Sequence, residues 1–384
     1  MKSLSKTIES IPASGIRRFF DLVSEMEDVI SLGVGEPDFV TPWRIREAAI
    51  YSLEQGRTTY TSNYGLMELR QEISRLHRDR AGVTYDPARE VLITVGVSEA
   101  LDTAFRALLN PGDEVLVAEP TYVSYIPCIR FAGGCPITVP TSAENGFRLD
   151  PADLRARITP RTKAILLAYP NNPTGGVMDR EGLQAIMDIA VERDLYVVSD
   201  EIYERLSYDA PPVCVASLDG ARERTILLNG FSKAYAMTGW RIGYACAPAN
   251  VVEMMMKIHQ YTMLCAPITA QIGAIEALRN GEADATAMAD DYNNRRRLFV
   301  KGLNDIGLDC PLPGGAFYAF PSIKRTGLSA EVFAERLLME ERVLVVPGDV
   351  FGPSGAGHVR CCYATATNQL TEALHRMERF LQKL

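Results

Sequence analysis

The stretch EVLITVGVSEALDTAFRALLNPGDEVLVAE, residues 90–119, decides the fold. It begins with a short apolar run, continues with apolar residues at helical spacing, stops at Pro111-Gly112 and ends with a second apolar run. Apolar runs of this length, uninterrupted by polar residues, are typical of strands that are buried on both faces, as in a parallel sheet. The stretch therefore predicts a strand–helix–strand unit of an α/β domain.

The same alternation extends along the chain. Further apolar runs follow up to residue 248, namely PITVP, KAILLAYP, LYVVSDE, TILLNG and IGYACAP, with the helical segment REGLQAIMDIAVERD among them. This repetition predicts a doubly wound, mostly parallel sheet with helices on both faces. After residue 285 a long charged helix and several short apolar runs indicate an α+β module. We expect a large α/β domain over residues 48–285 and a small α+β domain, with an N-terminal arm, from residues 1–47 and 286–384.

Composition narrows the possible partners. The 384 residues carry 40 basic and 48 acidic side chains, a net charge of −8. No basic stripe is present, so we expect no nucleic-acid partner. No apolar run reaches the roughly 18 residues that a membrane span requires. The N-terminal MKSLSKTIES lacks the apolar region of a secretory signal, and we therefore expect a cytoplasmic protein without a membrane partner.

Cysteine and histidine usage agrees with that expectation. The eight cysteines form no CxxC pair, and the chain is too long to need disulfides for stability, so we expect free thiols in a reducing compartment. No two of the four histidines have the spacing of metal ligands. We expect no metal site.

Four predicted strands are followed by residues that can bind a ligand. Val97 and Ser98 begin a helix directly after one strand, and free backbone N–H groups at a helix start can bind a phosphate. Asn172 lies in the loop after a second strand, Asp200 ends a third, and Lys233 follows a fourth in a stretch with no other charge until Arg241. Ligands of open α/β sheets bind outside the carboxyl ends of the strands. These loops are therefore expected to form one site.

One ligand accounts for this combination. A partly desolvated lysine can lose its proton and attack a carbonyl, a carboxylate can keep a pyridine nitrogen protonated, and a helix start with an arginine can hold a phosphate. Pyridoxal 5'-phosphate carries an aldehyde, a pyridine nitrogen and a phosphate. The residues thus favour this cofactor. A serine hydrolase remains a second possibility, because GVSEA, residues 96–100, differs by one residue from the G-x-S-x-G motif and would make Ser98 the nucleophile.

Motifs along nearly the whole chain resemble those of class I/II aminotransferases, the fold-type I pyridoxal-phosphate enzymes of the aspartate aminotransferase superfamily. The motifs, in order, are ISLGVGEPDFVTP (30–42), YTSNYGLMELR (60–70), NPGDEVLVAEPTYVSY (110–125), YPNNPTGG (169–176), VVSDEIYERLSYD (197–209), SKAYAMTGWRIGY (232–244), PGGAFYAFPSI (313–323) and HVRCCYAT (358–365). The resemblance implies a large sheet of the seven-stranded type and a smaller α+β domain. It also implies amino transfer from an L-amino acid to a 2-oxo acid, 2-oxoglutarate by family analogy, in a ping-pong reaction.

The resemblance assigns residues to the cofactor ring. Lys233 matches the lysine that bonds to the cofactor aldehyde and later moves the substrate proton. Asp200 matches the partner of the pyridine nitrogen. Tyr203 and Asn172 match the pair that hydrogen-bonds the phenolic oxygen, and Tyr122 matches the aromatic ring that stacks on the cofactor. Lys233, Asp200 and Tyr203 are the expected catalytic residues.

Other matches concern the phosphate and the partner subunit. Val97, Ser98 and Arg241 match the phosphate-binding residues. Tyr60 matches a tyrosine that reaches the cofactor phosphate of the neighbouring subunit, which implies a homodimer with shared active sites. Where several relatives have a phosphate-binding serine, this chain has Gly230. Ser232 is therefore a further candidate for the phosphate.

The resemblance assigns fewer residues to the substrate than to the cofactor. Arg360 matches the arginine that binds the substrate α-carboxylate, and Gly35 and Asn172 match residues beside it. Near Tyr261, where aspartate enzymes carry an arginine for a second carboxylate, KIHQYTMLCAP (257–267) contains no arginine. The donor amino acid stays open. We further expect Phe351, Ile16 and Val34 at the substrate side chain, and we expect the three arginines 295–297 to form a solvated helix face.

Two alternatives resemble this family in fold. A β C–S lyase of the same superfamily would use the same cofactor to release pyruvate and ammonia from cystathionine-like substrates, and its motifs differ little. A non-catalytic regulator built on the fold would need a DNA-binding domain, for which the chain has no room before the aminotransferase motifs begin.

Overall fold

The computed structural model of the chain describes residues 2–12, 15 and 26–384. Its strands are β1 (Ile30–Ser31), β2 (Val91–Thr94), β3 (Glu114–Glu119), β4 (Cys135–Pro140), β5 (Thr162–Ala168), β6 (Tyr196–Asp200), β7 (Thr225–Gly230), β8 (Gly243–Cys246), β9 (Tyr318–Ala319), β10 (Val343–Leu344), β11 (Val346–Pro347) and β12 (Val359–Cys362). Its α-helices of four or more residues are α1 (Lys6–Glu9), α2 (Trp43–Glu54), α3 (Met67–Ala81), α4 (Gly96–Leu108), α5 (Tyr125–Phe131), α6 (Pro151–Ala156), α7 (Arg180–Glu192), α8 (Ala249–Thr262), α9 (Ile268–Asn280), α10 (Glu282–Asp305), α11 (Ala330–Glu341) and α12 (Thr367–Leu381).

A seven-stranded sheet lies at the centre of the fold, in the order β2-β8-β7-β6-β5-β3-β4. Strand β8 runs antiparallel to both of its neighbours, β2 and β7. The other neighbouring strands of this sheet pair in parallel. The mostly parallel, doubly wound sheet predicted from the apolar runs is therefore confirmed.

Helices cover both faces of this sheet because side chains alternate along each strand. In β3, Val115 and Val117 pack in a cluster with Phe105 of α4, whereas Leu116 packs in another cluster with Ile186 of α7. Helix α7 begins at an Asp179 cap, whose side chain accepts a hydrogen bond from the Gly182 N–H. The strands are therefore apolar on both sides, as in other sheets buried by crossover helices.

The remaining strands form two small sheets. Strand β1 pairs in parallel with β10, and β12 lies between β11 and β9 in an antiparallel sheet. Their core contains aromatic and aliphatic side chains from β9, α10, α11 and α12. No helix in the described part of the chain is long and apolar enough to cross a membrane.

Candidate active site

A cavity of about 610 Å³ opens at the carboxyl ends of the parallel strands. It is lined by 11 of the 12 residues that the resemblance assigns to the cofactor and the substrate α-carboxylate, namely Gly35, Val97, Ser98, Tyr122, Asn172, Asp200, Tyr203, Ser232, Lys233, Arg241 and Arg360. The segments after β1, β2, β3, β5, β6 and β7 and strand β12 bring them together. Tyr60 is the exception: it is 80% exposed and lies outside the cavity.

The amine of Lys233 lies inside this cavity. Its Nζ donates a 2.6 Å hydrogen bond to the Gly35 carbonyl and lies 5.9 Å from the centre of the Tyr203 ring. Burial disfavours the ammonium form and lowers the Lys233 pKa to about 8, although Cys362 and Glu36 oppose the shift. The neutral amine that a nucleophile or proton acceptor requires is therefore far more populated near neutral pH than in a solvated lysine.

Asp200, the last residue of β6, is 6% exposed. Its Oδ2 accepts a 2.9 Å hydrogen bond from the Tyr125 hydroxyl, and its Oδ1 accepts one from the Ile202 N–H. Burial raises the Asp200 pKa to about 6, and both hydrogen bonds oppose that rise. A cationic group bound in the cavity would stabilise a buried carboxylate of this kind.

Two tyrosines of the site were missed by the sequence analysis. Tyr125 supports Asp200, and the Tyr318 hydroxyl lies 2.7 Å from that of Tyr203. Both lie in quoted motifs, at EPTYVSY and GGAFYAF, but only their position in space shows what they contact. Tyr318 also explains Gly35, because a Cβ there would lie 2.2 Å from the Tyr318 hydroxyl.

The start of α4 and Arg241 form a turn whose donors are suited to an anion. Gly96 has a φ of +76°, and a Cβ on it would lie 2.5 Å from the Arg241 guanidinium. Gly243 is equally constrained, since its Cβ would lie 2.7 Å from the Val97 nitrogen. Val97 and Ser98 follow Gly96 in the first helical turn. Helix-start N–H groups beside a guanidinium are suited to a phosphate.

Gly230 and Ser232 differ in how much space surrounds them. A Cβ on Gly230 would lie 3.1 Å from the Gly243 Cα and 3.1 Å from a side-chain carbon of Val97, because β7 and β8 meet the turn there. Ser232 lines the cavity beside Lys233. The tight packing at Gly230 gives a physical reason for a glycine at that position.

Arg360, on β12, is 3% exposed and faces the cavity from the other side. One terminal nitrogen donates to the Asn172 side-chain oxygen at 2.9 Å, and the other donates to the Gly33 carbonyl at 2.6 Å. Its Nε is buried without a hydrogen-bond partner. The guanidinium carbon lies 4.6 Å from the Tyr318 ring centre and 4.9 Å from that of Phe351. This fixed guanidinium is suited to a carboxylate.

The prediction for the arginines of helix α10 is wrong in part. The arginines 295–297 do not all lie on a solvated face: Arg297 is exposed, but Arg295 is 8% exposed and Arg296 is fully buried. Arg296 donates to both Asp209 oxygens, at 2.6 and 2.7 Å, so the predicted solvated face is wrong for these two residues. Burial needs such a partner, and Asp209 is too distant in sequence to be recognised.

The expected substrate-pocket residues have different positions. Val34 lines the cavity, and Phe351 contacts the Arg360 guanidinium. Ile16 lies outside the described residues. In residues 2–12, 15 and 26–384 no group of three His, Cys, Asp or Glu side chains is arranged to hold a metal ion.

Comparison with known proteins places this cavity in context. The sequence profile of the family "Aminotransferase class I and II" matches residues 27–377. The chain is 55% identical to the putative aminotransferase YugH of Bacillus subtilis, over 99% of this chain and 98% of that protein. It is 45% identical to an aspartate aminotransferase of Pyrococcus abyssi, over 99% of each chain. The crystal structure of an aromatic aminotransferase from Pyrococcus horikoshii superposes with a TM-score of 0.92 at 44% identity, over 96% of this chain and 99% of that one.

These likenesses extend over the whole length of the fold, and they confirm the fold-type I architecture and the enzyme class predicted from the sequence. The chain belongs to the class I and II aminotransferase family, and it is an enzyme of amino-group transfer.

Proposed function

We propose that this aminotransferase binds pyridoxal 5'-phosphate in the 610 Å³ cavity and transfers the amino group of an L-amino acid to a 2-oxo acid. One observation carries the proposal: a lysine with a depressed pKa, a buried carboxylate and a helix start beside an arginine all face the same cavity. The residues fit the cofactor. Glycine at 96 leaves room for Arg241 beside the helix start, and the donors match a phosphate.

Each end of the cofactor has residues to hold it. Val97, Ser98 and Arg241 would hold the phosphate, with Ser232 as a further donor. Around the ring, Asp200 would pair with the pyridine nitrogen, Asn172 and Tyr203 with the phenolic oxygen, and Tyr122 would stack on the ring. The bound cofactor supplies an electron sink for the electron pair that remains when the substrate loses its α-proton.

The protein's own groups then move and hold the reacting atoms. Lys233 Nζ, kept partly neutral by burial, is the base that takes the substrate α-proton. Arg360 binds the α-carboxylate and thereby fixes the direction of the Cα–H bond. Asn172 orients Arg360 through the 2.9 Å hydrogen bond. The reaction runs in two halves, and the second uses a 2-oxo acid, which we propose to be 2-oxoglutarate from the family analogy.

The proposed donor is an L-amino acid. Similar proteins carry the names of aspartate and of aromatic aminotransferases. Tyr261 is 86% exposed, and the segment 257–267 supplies no arginine for a second carboxylate. A β C–S lyase stays the alternative reaction for the same residues. A hydrolase has less support, because no histidine is among the described residues that line the cavity beside Ser98.

We also propose a homodimer with shared active sites. Tyr60 and Tyr261 are 80% and 86% exposed, and Trp43 and Tyr51 on α2 are 57% and 59% exposed. Exposed aromatic side chains in such number are typical of a surface that binds another protein. In the dimer Tyr60 would reach the phosphate in the partner subunit. Pairing of the chain in solution, measured by analytical ultracentrifugation, tests this.

The domain division and location are proposed on other grounds. The strands of the large sheet all lie between Val91 and Cys246, which supports a large domain over residues 48–285 and a small one from 1–47 and 286–384. The boundary between residues 285 and 286 falls within α10. A cytoplasmic location is supported by eight cysteines without a CxxC pair, which suit a reducing compartment.

The visible spectrum of the purified enzyme with bound pyridoxal phosphate tests the reaction. L-amino acids are added singly, without a 2-oxo acid. Loss of the long-wavelength cofactor absorption, restored by 2-oxoglutarate, supports amino transfer, and the amino acids that respond identify the donor class. An absorption that survives every addition, with pyruvate formed only from thioethers such as cystathionine, would instead establish the lyase.

A further inference from the structure

A buried glutamate lies at the start of the phosphate-binding helix. Glu99, in the first turns of α4, is 8% exposed. One of its carboxylate oxygens accepts a 2.5 Å hydrogen bond from the Val95 N–H, and the other lies 2.5 Å from Nδ1 of His259. His259, on α8, is fully buried. Neither residue lines the cavity.

The bond to Val95 fixes the way the helix begins. Val95 is the residue before the first helical turn, and a side chain that reaches back to its N–H acts as the acidic member of a capping box does. Val97 and Ser98 follow within the same turn. The direction of their N–H groups therefore depends on the Glu99 carboxylate remaining where it is.

The bond to His259 holds that carboxylate. A carboxylate at a helix start attracts the same N–H groups that a phosphate would use, so its position decides whether the two compete. Nε2 of His259 is buried without a hydrogen-bond partner, and a buried polar atom left in that state is unfavourable. The hydrogen bond of the imidazole is thus directed to Glu99 through Nδ1.

We propose that Glu99 and His259 are positioning residues for the phosphate-binding turn. The imidazole of His259 donates from Nδ1 to Glu99, and Glu99 sets the helix start so that the N–H groups of Val97 and Ser98 point at the phosphate. This inference rests on the proposed function, because it assigns the turn to the phosphate of pyridoxal phosphate. It adds two residues, one of them from a different helix, to those that decide cofactor affinity.

The test compares two ligands that differ only in the phosphate. Dissociation constants of the cofactor-depleted protein are measured for pyridoxal and for pyridoxal 5'-phosphate. The constant for pyridoxal divided by that for pyridoxal 5'-phosphate is the ratio that reports the contribution of the phosphate. Two variants are matched: the amide nitrogen of His259→Asn can take the place of Nδ1, whereas that of His259→Gln takes the place of Nε2. We expect His259→Asn to keep the wild-type ratio and His259→Gln to lower it about tenfold. Pyridoxal affinity should stay unchanged in both.

A buried histidine elsewhere provides the control. His77 is 3% exposed and hydrogen-bonds the Tyr244 hydroxyl at 3.1 Å, away from the turn. His77→Gln should leave the ratio unchanged. Equal ratios for the two His259 variants, or an equal loss in His77→Gln, would overturn the inference while leaving the proposed function intact. A wild-type protein that binds pyridoxal as tightly as pyridoxal phosphate would overturn the proposed function itself.

Discussion

Lys233 and Gly35 are joined by a 2.6 Å hydrogen bond from the lysine amine to the glycine carbonyl, although 198 residues separate them in the chain. Gly33, two residues earlier, accepts a hydrogen bond from Arg360 at 2.6 Å. One short segment near the N-terminus therefore contacts both the proposed base and the proposed carboxylate-binding arginine.

Replacing Lys233 should abolish turnover. Lys233→Ala removes the group that takes the α-proton, and we expect kcat to fall at least about 10³-fold. Lys233→Arg should retain cofactor affinity at best, because a guanidinium is not a base at neutral pH. Steady-state rates measure this, with Lys257→Ala, at an exposed lysine, as the control. Wild-type rates in Lys233→Ala would contradict the assignment.

The rate of cofactor uptake should depend on pH through the Lys233 amine. Burial lowers its pKa to about 8, so the reactive neutral form increases as the pH rises through 8 and saturates above it. The rate of reconstitution of the cofactor-depleted protein with pyridoxal phosphate should rise along the same curve. Stopped-flow absorbance measures it. A midpoint near 10, the ordinary range of a lysine, would show that the amine is not desolvated.

Removing the Tyr125 hydroxyl should weaken the function of Asp200. Tyr125→Phe deletes a hydrogen bond that stabilises the ionised carboxylate, so the Asp200 pKa rises further above about 6. We expect kcat to fall by about tenfold. The decline of activity on the acid side should also move to higher pH, which rate–pH profiles measure. An unchanged profile would show that Tyr125 serves packing alone.

Glu201 should make stability depend on pH. Its side chain is 3% exposed and burial raises its pKa to about 8, above its ordinary value of 4.5. Between these values the native state holds a proton that the unfolded chain has released, so this contribution to stability is complete below pH 4.5 and is lost as the pH rises to 8. Urea midpoints of the wild type and Glu201→Gln should therefore diverge as the pH rises. Parallel curves would contradict a retained proton.

Arg296 and Arg297 are adjacent but should differ in their effect on stability. Arg296→Met removes a buried guanidinium and leaves the Pro313 carbonyl without its 2.6 Å hydrogen bond. We expect the free energy of unfolding to fall by about 2 kcal/mol, less than for a fully buried ion pair because Asp209 is half exposed. Arg297→Met, on the exposed side, should change it by less than about 0.5 kcal/mol. Equal denaturant midpoints for the two variants would refute the distinction.

The sequence allowed the sheet and most of the site to be predicted, because parallel strands bring the loops after their carboxyl ends to one edge. Asp200 and Lys233 could be located by this rule alone. Tyr125 and Tyr318 could not, since their contacts depend on how α5 and β9 are turned towards the sheet. The burial of Arg296 could likewise not be predicted, because a run of charged residues does not indicate an ion-pair partner that is distant in sequence, such as Asp209.

The reversed direction of β8 has a consequence for the geometry of the site. Because β8 runs antiparallel to β7, the connection 231–242 leaves and re-enters the sheet at the same edge. Lys233 and Arg241 are both carried on it, so the spacing between the two proposed anchors of the cofactor is set by eight residues of continuous chain. A parallel strand would have placed Arg241 at the opposite edge. The length of this connection thus sets the distance between the groups that would hold the aldehyde and the phosphate. A one-residue deletion between Lys233 and Arg241 would therefore displace both anchors at once.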